Sequence, residues 1–515
     1  MSKESASPSR DLMRQPTAIV WDLPLGVPDA GKTLQRWLYD ALRQAIVSGR
    51  LPGGSLLPGS RTLAQRYGVS RGTVSSAYEQ LHAEGYVVSH ARSGTRVCDT
   101  FSRRGLGRVL PETPAMDFRA AVSRDTPRQP DTPWVERLFE HESPFPVTSV
   151  TRPPQAFHPH RGDIRLFPVD LWRRLHVRQL RQSRLLALND TSPAGLYELR
   201  YAIARHLAIA RGVDVSPDQI AIVGSAQQAL DLCLRLLTHP GDAVWMEDPG
   251  YVAARQIIHA SGASIINVPV DESGMRVEDA IRQAPTAPLA YVTPSRQCPL
   301  GVPLSAARRH AILQWAIERN AVIFEDDYDS EYHFRAGGQP ALRSLSGAED
   351  HVVMVGTFSK LMFPSLRIAY AVLPPHLVSA FVRSISVTSR SANGLTQAVL
   401  ADFLNEGHLD RHIRRTRRIY AARAEAFERS SQRYWKGLIE TPATYSGLDA
   451  VCRLAEIDER TAVHKLSSVG IDAAPLAKYA QQYDHRAGLL MGFAAMSEEE
   501  IDQAAQRVSN VLRGP

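Results

Sequence analysis

Hydrophobic and polar positions along the chain fall into regions with different periodicities. The first dense pattern is LQRWLYDALRQAIV, from Leu34 to Val47, in which apolar residues recur at helical spacing before Ser48-Gly49 interrupts them. From Phe157 onward, short apolar runs typical of strands alternate with amphipathic helical stretches. Strands that alternate with helices favour a parallel sheet with crossover connections, so the C-terminal region is predicted to be α/β.

Six apolar runs are the predicted strands of this region. They read QIAIVG, AVWME, ASIINVPV, PLAYVTP, AVIFEDD and HVVMVGTFS, and the clearest helical stretches between them are QQALDLCLRLL and YVAARQIIHA. Residues 1–32 and 99–156 instead hold scattered prolines and polar residues with weak periodicity, which is typical of flexible segments. We therefore expect a flexible N-terminal arm over 1–32, a small folded domain over 33–98, a linker over 99–156 and a large domain over 157–515.

In the small domain, the segment SRTLAQRYGVSRGTVSSAYEQLHAEGY has helix caps and a turn residue at the spacing of a helix-turn-helix. Ser60 and Ser70 are the expected N-caps of two helices, and Gly68 is expected at the tight turn between them. The inward stripe of the second of these helices is predicted to be Val74, Ala77, Tyr78 and Leu81. That stripe leaves Arg71 and Thr73 at the exposed first turns, where a recognition helix contacts DNA.

The segment YVVSHARSGTRVC predicts two short strands joined around Ser93-Gly94, with Arg92 and Arg96 near the tip. Together with the helices, GRLPGGSLLPGSRTLAQRYGVSRGTVSSAYEQLHAEGYVVSHARSGTRV resembles the winged helix of the GntR family. The family usually reads LPSSR or LPSER, so Gly59 replaces a loop residue that could contact phosphate. The resemblance implies a double-stranded DNA operator as partner, bound by Arg61, Ser70, Arg71, Thr73, Arg92 and Arg96. The alternative is a three-helix module for protein contact.

Charge favours the DNA-binding interpretation. The whole chain of 515 residues has a formal net charge of +7, which by itself indicates little more than a solvated surface. Residues 33–98, however, hold eight arginines against three acidic residues, a local net charge of +5. Most of the excess positive charge therefore lies where a polyanion would bind.

Composition excludes several classes of protein. With 44% hydrophobic and 22% charged residues, the chain has the profile of a globular protein. The N-terminus MSKESASPSRDLMRQ lacks the apolar core of a signal peptide, and no stretch approaches the roughly 20 apolar residues of a membrane span, so a cytoplasmic protein is expected. The four cysteines are far apart and form no CxxC pair, so neither disulfides nor a metal site is expected.

The large domain carries residues suited to one cofactor chemistry. A Schiff base needs a lysine on a rigid turn, and of only six lysines Lys360 directly follows a strand-like run, in HVVMVGTFSKLMFPSLRIAY. Thr357 and Arg367 beside it could hold a phosphate. Asp326, at the end of AVIFEDD, could keep a pyridine nitrogen protonated, and Tyr328 could reach a ring oxygen.

Two further segments extend this constellation. The strand-like run ending at Gly224 is followed by Ser225-Ala226-Gln227 at a helix start, where backbone amides form an anion site. Tyr251, in EDPGY, follows another strand, where its ring could stack on a cofactor. Each feature alone is more often structural, but their joint occurrence favours a cofactor site.

In order and spacing, GLYELR, GSAQQALDL, EDPGY, TPSRQCPLG, EDDYDSE and GTFSKLMFPSLRIAY resemble fold-type I aminotransferases. With the winged helix in front, the chain is similar to the MocR/GabR-type regulators over nearly all of its length outside the linker. The resemblance implies pyridoxal 5'-phosphate held by Lys360 as an internal aldimine. It implies that the other cofactor contacts are Ser225, Ala226, Gln227, Tyr251, Asp326, Tyr328, Thr357 and Arg367. It also implies a head-to-tail homodimer in which a small amine or amino-acid effector displaces Lys360 and changes DNA binding.

Three positions depart from the pattern of these relatives. Asp190 stands where YGDPAG usually places a tyrosine that reaches the partner subunit's phosphate, so phosphate affinity is expected to be weaker. Arg296 replaces the histidine of TPSHQ. An apolar residue near Leu490 replaces the arginine that binds a substrate carboxylate in aminotransferases, and the nearest guanidinium is Arg486. We therefore take Arg296 and Arg486 as candidate effector contacts and expect a ligand other than an ordinary α-amino acid.

Alternative functions remain open at this point. The chain could be a working aminotransferase with an accessory DNA-binding domain, although the altered carboxylate position favours poor turnover. It could sense pyridoxal phosphate itself, so that cofactor occupancy alone would change DNA affinity. Loss of the cofactor is the least favoured alternative, because suitable residues fill all the core cofactor positions.

Overall fold

The computed structural model describes residue 25 and residues 33–90, 94–98, 155–181, 191–334, 340–444, 446–483 and 486–513. They fall into two compact units, one within residues 1–126 and one within residues 127–515. No helix in the described ranges is both long and apolar enough to cross a bilayer. Within the same ranges, no three His, Cys, Asp or Glu side chains come together as a metal site would require.

The first unit is a three-helix bundle with a β-hairpin. Its elements are α1 (Leu34–Val47), α2 (Ser60–Tyr67), α3 (Arg71–Ala83), β1 (Val87–His90) and β2 (Gly94–Val97). The bounds of α1 are those the sequence predicts. The predicted inward stripe of α3 is confirmed, because Val74, Ala77, Tyr78 and Leu81 are all buried against Leu38 and its neighbours on α1. The hairpin is the predicted wing, with antiparallel strands.

The helix ends of this unit follow from capping chemistry. Ser70 is the N-cap of α3, as predicted, and its Oγ accepts a hydrogen bond from the Thr73 amide at 3.0 Å. Gly68 ends α2 with φ 63°, a left-handed conformation that glycine adopts at little cost. The prediction that Ser60 caps α2 is wrong by one residue. Gly59 is the N-cap, and the Ser60 hydroxyl instead accepts a hydrogen bond from Arg71 Nε at 3.3 Å.

The second unit is built around an eight-stranded, mostly parallel sheet. Its strands are β3 (Ile220–Val223), β4 (Ala243–Asp248), β5 (Ser264–Asp271), β6 (Gly274–Met275), β7 (Leu289–Val292), β8 (Val322–Asp327), β9 (Val352–Thr357) and β10 (Ala369–Val372). Their spatial order is β3-β10-β9-β8-β7-β4-β5-β6. The six predicted strands are confirmed. β6 and β10, which run antiparallel to their neighbours, were not among them.

Helices precede this sheet, connect its strands and follow it in the chain. They are α4 (Val169–Arg181), α5 (Tyr197–Arg211), α6 (Ala226–Leu237), α7 (Val252–Ser261), α8 (Val277–Gln283), α9 (Ala306–Arg319), α10 (Pro375–Thr388), α11 (Gly394–Asn405), α12 (His408–Tyr434), α13 (Glu459–Ser468) and α14 (Glu498–Arg513). The central strands bury both faces, as β8 and β9 do over nearly their whole length. Strands buried on both faces are expected where helices pack on each side of a parallel sheet.

A smaller antiparallel sheet completes the unit. It has the order β11-β12-β14-β13, formed by Ile439–Glu440, Asp449–Leu454, Gly488–Gly492 and Ala474–Pro475 respectively. The described part of this unit begins at Gln155, two residues before the boundary expected from the sequence. Ala156 already exchanges backbone hydrogen bonds with Gly470 and Asp472.

Candidate functional site

A cavity of about 240 Å³ opens at the carboxyl ends of β3, β8 and β9. These strands run in the same direction, so their carboxyl ends meet at one edge of the sheet, where ligands of open α/β sheets bind. All nine residues predicted to contact a cofactor line this cavity: Ser225, Ala226, Gln227, Tyr251, Asp326, Tyr328, Thr357, Lys360 and Arg367. The fold thus brings together positions that are up to 142 residues apart in the sequence.

Asp326 is a buried carboxyl group that lines the cavity. Its Oδ2 accepts a hydrogen bond from Tyr291 Oη at 2.7 Å, but its buried Oδ1 has no hydrogen-bond partner among the described residues. Burial raises the pKa of Asp326 to about 6, while the hydrogen bond from Tyr291 and the charge of Lys360 act in the opposite direction. A buried acceptor without a donor costs free energy. The protonated nitrogen of a pyridine ring is a donor of the right kind for this oxygen.

Lys360 lies in the turn that follows β9. The turn is fixed by a hydrogen bond from the Ser359 amide to Thr357 Oγ1 at 3.2 Å. Lys360 Nζ lies 4.1 Å from the centroid of the Tyr328 ring, a cation–π distance. The amine is therefore held inside the cavity, on the same side of the sheet as Asp326.

Another part of the cavity lining has the features of a phosphate site. Ser225 is the N-cap of α6, and its Oγ accepts from the Gln228 amide at 3.1 Å. The first amides of α6 have no acceptor within the helix, and Ser225, Ala226 and Gln227 at its start line the cavity. Arg367 adds a guanidinium and adopts φ 51°, an uncommon conformation for a residue with a side chain. A helix N-terminus with an arginine beside it is a common arrangement for binding phosphate.

Several lining residues were not predicted from the sequence. Tyr291, which donates a hydrogen bond to Asp326, lies in β7. The sequence of that strand, LAYV, is typical of a buried strand without a functional residue. His160 also lines the cavity, with its Nδ1 2.9 Å from Asp449 Oδ2. Burial lowers the pKa of His160 and outweighs the opposing effect of Asp449, so its ring is neutral at neutral pH. The sequence holds no signal that pairs His160 with a residue almost 300 positions away.

Arg296 lies behind the cavity and does not line it. Its Nη1 donates to Tyr328 Oη at 3.2 Å and to Asp329 Oδ2 at 3.3 Å. Its Nη2 donates to the carbonyl and to Oδ1 of Asp449, at 2.7 and 2.8 Å. Burial alone would raise the pKa of Asp449, but Arg296 and His160 hold it far below its usual value. The structure therefore gives both terminal nitrogens of Arg296 to protein acceptors.

The other predicted departures lie elsewhere. Arg486 is exposed and forms an ion pair with Glu440, and it is not among the residues that line the cavity. Leu490 is fully buried in β14 and belongs to an apolar cluster with Tyr251 and Tyr328. The position that an arginine would occupy in an aminotransferase is thus apolar, as the sequence indicates. Asp190 lies outside the described residues.

The predicted DNA contacts belong to the first unit and are mostly exposed. Arg61 is exposed in the first turn of α2, and Ser70 and Arg71 are exposed at the start of α3. Thr73, in the first turn of α3, is partly exposed. Ser70 and Thr73 bond each other through their hydroxyls at 2.8 Å. Arg96 donates from Nη1 to the Gly54 carbonyl at 3.1 Å, which ties the wing to the loop before α2. Arg92 lies outside the described residues.

Comparison with known families gives two matches along the chain. Residues 34–97 match the family described as bacterial regulatory proteins, gntR family. Residues 187–508 match the family described as aminotransferase class I and II. The probable rhizopine catabolism regulatory protein MocR of Rhizobium meliloti is 34% identical over 479 residues, covering 92% of this chain and 92% of the relative. The pyridoxine biosynthesis transcriptional regulator PdxR of Corynebacterium glutamicum is 29% identical, covering 95% and 99%.

Solved structures share the fold of the second unit. The α-aminoadipate aminotransferase LysN of Thermus thermophilus, complexed with N-(5'-phosphopyridoxyl)-L-leucine, superposes with a TM-score of 0.64 at 24% identity. The match covers 70% of this chain and 92% of that one. The kynurenine aminotransferase of Pyrococcus horikoshii, in complex with PMP, gives a TM-score of 0.65 at 23% identity, covering 77% and 98%. The eight-stranded sheet and its helices are therefore those of an aminotransferase.

Proposed function

The chain belongs to the family of MocR-type transcriptional regulators, in which a gntR-family DNA-binding unit precedes an aminotransferase-like unit, and on that premise we propose that its large unit holds pyridoxal 5'-phosphate and senses an amine or amino acid. The winged helix binds an operator in double-stranded DNA. The sensing event changes how two such units, carried by a homodimer, engage the two half-sites of the operator.

The single observation that carries this proposal is the buried Oδ1 of Asp326, which has no hydrogen-bond partner among the described residues and lies in the same cavity as Lys360. Asp326 would hold the pyridine nitrogen, and Tyr328 would hold the phenolic oxygen. The α6 N-terminus with Ser225 and Arg367 would hold the phosphate. When bound, the cofactor supplies an aldehyde that condenses reversibly with amines, including that of Lys360.

The residues of this chain favour sensing over turnover. Lys360 and Arg367 are the only Lys or Arg side chains among the described lining residues. If Arg367 holds the phosphate and Lys360 meets the aldehyde, neither is left for a substrate carboxylate. Two other positions also offer no cation for a substrate carboxylate. Leu490 belongs to an apolar cluster, and Arg296 is paired with Asp449 and Asp329. An effector therefore binds chiefly through its amine, with Arg296 acting on Tyr328 and not on the effector.

Absorption spectroscopy of the purified protein tests the proposal. Wild type with added pyridoxal phosphate is expected to show the visible band of a lysine-bound cofactor, and one amine in a panel is expected to shift it without releasing a keto acid. Lys360→Ala should lack the band. Lys436→Ala, which removes an exposed lysine of the same unit, should retain it. Conversion to the pyridoxamine form with release of a keto acid would make the chain an enzyme instead.

A second candidate is favoured by one relative. PdxR is named as a regulator of pyridoxine biosynthesis and matches 95% of this chain. In that case the signal is the cofactor itself, and occupancy of the cavity alone changes DNA affinity. Comparing DNA affinity with and without pyridoxal phosphate, in the absence of any amine, separates the two candidates.

A further inference from the structure

A row of arginines lies on the surface of the large unit, far along the chain from the winged helix. Arg411, Arg414, Arg415 and Arg418 follow the spacing i, i+3, i+4 and i+7, so they share one face of α12. All four are exposed. We name these four residues the arginine face. The sequence pattern HLDRHIRRTRR that carries it has no role in the cofactor site.

The arginine face continues into a neighbouring cavity. A cavity of about 360 Å³ between α5 and α12 is lined by Arg414 and by Arg205, which is also exposed. Arg417 lines it as well and donates from Nε to the carbonyl of Glu331. Guanidinium groups from two helices therefore converge on one recess beside the face.

The acidic residues near the face are engaged with other cations. Asp410 and Glu331 flank His206, at 3.5 and 4.0 Å. Burial disfavours a charged imidazole there, but these two carboxylates outweigh burial and raise the pKa of His206 to about 9. Asp402 and Glu406 both pair with Arg178.

Within the part of the chain that the structure describes, Arg414, Arg415 and Arg418 make no ion pair or hydrogen bond. Arg411 Nη1 contacts only the ring nitrogen of His408, at 2.8 Å. The charge of Arg414 contributes to lowering the pKa of Asp410, but among the described residues no carboxylate lies within ion-pair distance of the four arginines.

Helix stability does not explain this arrangement. Like charges at i, i+3 and i, i+4 repel each other on a helix surface. Arg411 also lies near the positive end of the helix dipole, where a cation is unfavourable, whereas Arg414 has Asp410 four residues before it as a favourable neighbour. Packing within α12 therefore gives no reason for four arginines on one face.

We propose that the arginine face, with Arg205, binds backbone phosphates of duplex DNA as a second, sequence-independent contact of the regulator. The seven residue-to-residue steps from Arg411 to Arg418 advance about 10 Å along α12. Duplex DNA carries one phosphate charge per ~1.7 Å of its axis, so about six charges lie within that length. Phosphate contacts of this kind position a protein on DNA and strengthen binding without reading sequence.

This inference rests on the proposed function in one respect only, that the chain binds DNA. The choice of DNA over an acidic protein surface follows from the charge, because five arginines lie together on this surface and fit a uniform polyanion, although the exposed side chain of Ile209 also lines the recess. A second copy of the chain with an acidic surface is the other occupant, and it is an outcome of the test.

The test uses the full-length protein and a fluorescently labelled 60-bp duplex of mixed sequence, with affinity measured by anisotropy at several salt concentrations. The variant Arg414→Gln/Arg415→Gln/Arg418→Gln is expected to bind at least about tenfold more weakly at 0.1 M salt. The slope of log K against log salt should fall by about 2 to 3, since each lost phosphate contact removes about 0.9. Its melting temperature should be unchanged or raised, because repulsion on α12 is relieved.

Two matched variants control for other causes. Arg319→Gln/Arg383→Gln/Arg460→Gln removes the same charge from three separate exposed sites on α9, α10 and α13 and should leave affinity within about twofold of wild type. The triple lysine substitution at 414, 415 and 418 keeps the charge and should keep the salt slope.

Three results would overturn the proposal. The first is an arginine-face variant that binds DNA like wild type, and the second is an equal loss in the scattered-charge control. The third is a variant that changes the oligomeric state in sedimentation, which would assign the face to a second copy of the chain. Failure of the proposed function looks different. In that case Arg61→Gln/Arg71→Gln in the winged helix would leave DNA binding intact, whatever the arginine face does.

Discussion

In the winged-helix unit the candidate DNA contacts Arg61 and Arg71 are exposed to solvent, whereas in the large unit Asp326 and Lys360 line a cavity at the carboxyl ends of the strands. The exposed arginines face solvent. Burial instead raises the pKa of Asp326, and one of its oxygens has no hydrogen-bond partner among the described residues. The first kind of site should respond to salt and hardly to pH, and the second should respond to pH and hardly to salt.

The largest expected effect is a loss of cofactor binding in the large unit that leaves DNA binding by the winged helix intact. Lys360→Ala should abolish the visible band of bound cofactor and every response of DNA binding to amines, because no other lysine lines the cavity in the described residues. Basal DNA affinity should stay within a few fold of wild type, since the winged helix is untouched. Loss of DNA binding together with the band would show that the two sites are not separable in this way.

Replacing the buried carboxylate gives the next largest effect. Asp326→Asn should weaken pyridoxal phosphate binding by about 10- to 100-fold, the cost of losing a charge-assisted hydrogen bond of about 1.5 to 3 kcal/mol. Asp214→Asn, at an exposed site of the same unit, is the control and should change nothing. Equal cofactor affinity in both variants would contradict the role given to Asp326.

Asp326→Asn, which should weaken cofactor binding, should stabilise the protein when no cofactor is present. A folded-state pKa raised from 3.8 to about 6 means that the folded protein binds the proton more tightly than the unfolded chain does, so this group loses stability as pH rises from about 4 to 6. The loss at neutral pH is about 3 kcal/mol. Cofactor-free Asp326→Asn should therefore melt at a higher temperature than wild type at pH 7.5, and the difference should shrink towards pH 5. A variant that melts lower at pH 7.5 would mean that Asp326 stabilises the empty site.

In the winged helix the expected effects are smaller and depend on salt. Arg71→Ala should weaken DNA binding about tenfold or less at 0.1 M salt and lower the salt slope by about 1, as expected for one phosphate contact. Arg66→Ala removes a basic residue from the last turn of α2 and serves as the comparison. The cofactor spectrum should be identical in both variants. A change in affinity that does not vary with salt would argue against a phosphate contact.

The smallest predicted effect distinguishes two roles of one residue. Ser70 was predicted both as a helix cap and as a DNA contact, and the structure shows the cap. Ser70→Ala should destabilise the protein by about 1 kcal/mol, whereas Ser70→Gly should cost only a few tenths. If Ser70 acts only as a cap, Ser70→Gly retains full DNA affinity. Equal loss of affinity in both variants would assign the hydroxyl to DNA.

The sequence predicted those parts of the fold whose signals are local. Leu34 to Val47 is an uninterrupted helical pattern, and the runs around Ile323 and Val353 are apolar strands buried on both faces. The four residues of β10 were not predicted as a strand, because they follow a short 3-10 turn and insert antiparallel between β3 and β9. Nothing in its sequence AYAV indicates either the insertion or its direction. The small sheet was also missed, since two of its strands have only two residues.

The candidate site divides in the same way. Residues next to strand ends, such as Asp326 and Lys360, could be proposed from sequence because the end of a parallel strand is itself a signal. Tyr291 could not, since its hydroxyl reaches Asp326 only through the pairing of β7 with β8. Likewise, the bonds of Arg296 to Asp449 depend on how the small sheet packs against the large one. Contacts set by tertiary packing leave no pattern in a single sequence.

Reciprocal coupling between the two units can be measured on the full-length chain. The full-length chain first selects its preferred duplex from a random-sequence pool. Affinity for that duplex is then measured with and without pyridoxal phosphate and the amine that shifts the visible band, and amine affinity is measured with and without the duplex. If the large unit senses its ligand on behalf of the winged helix, both affinities change by the same factor, within the range of about 5 to 150 typical of allosteric proteins. A factor of one for every cofactor and amine condition would contradict coupling between the two units.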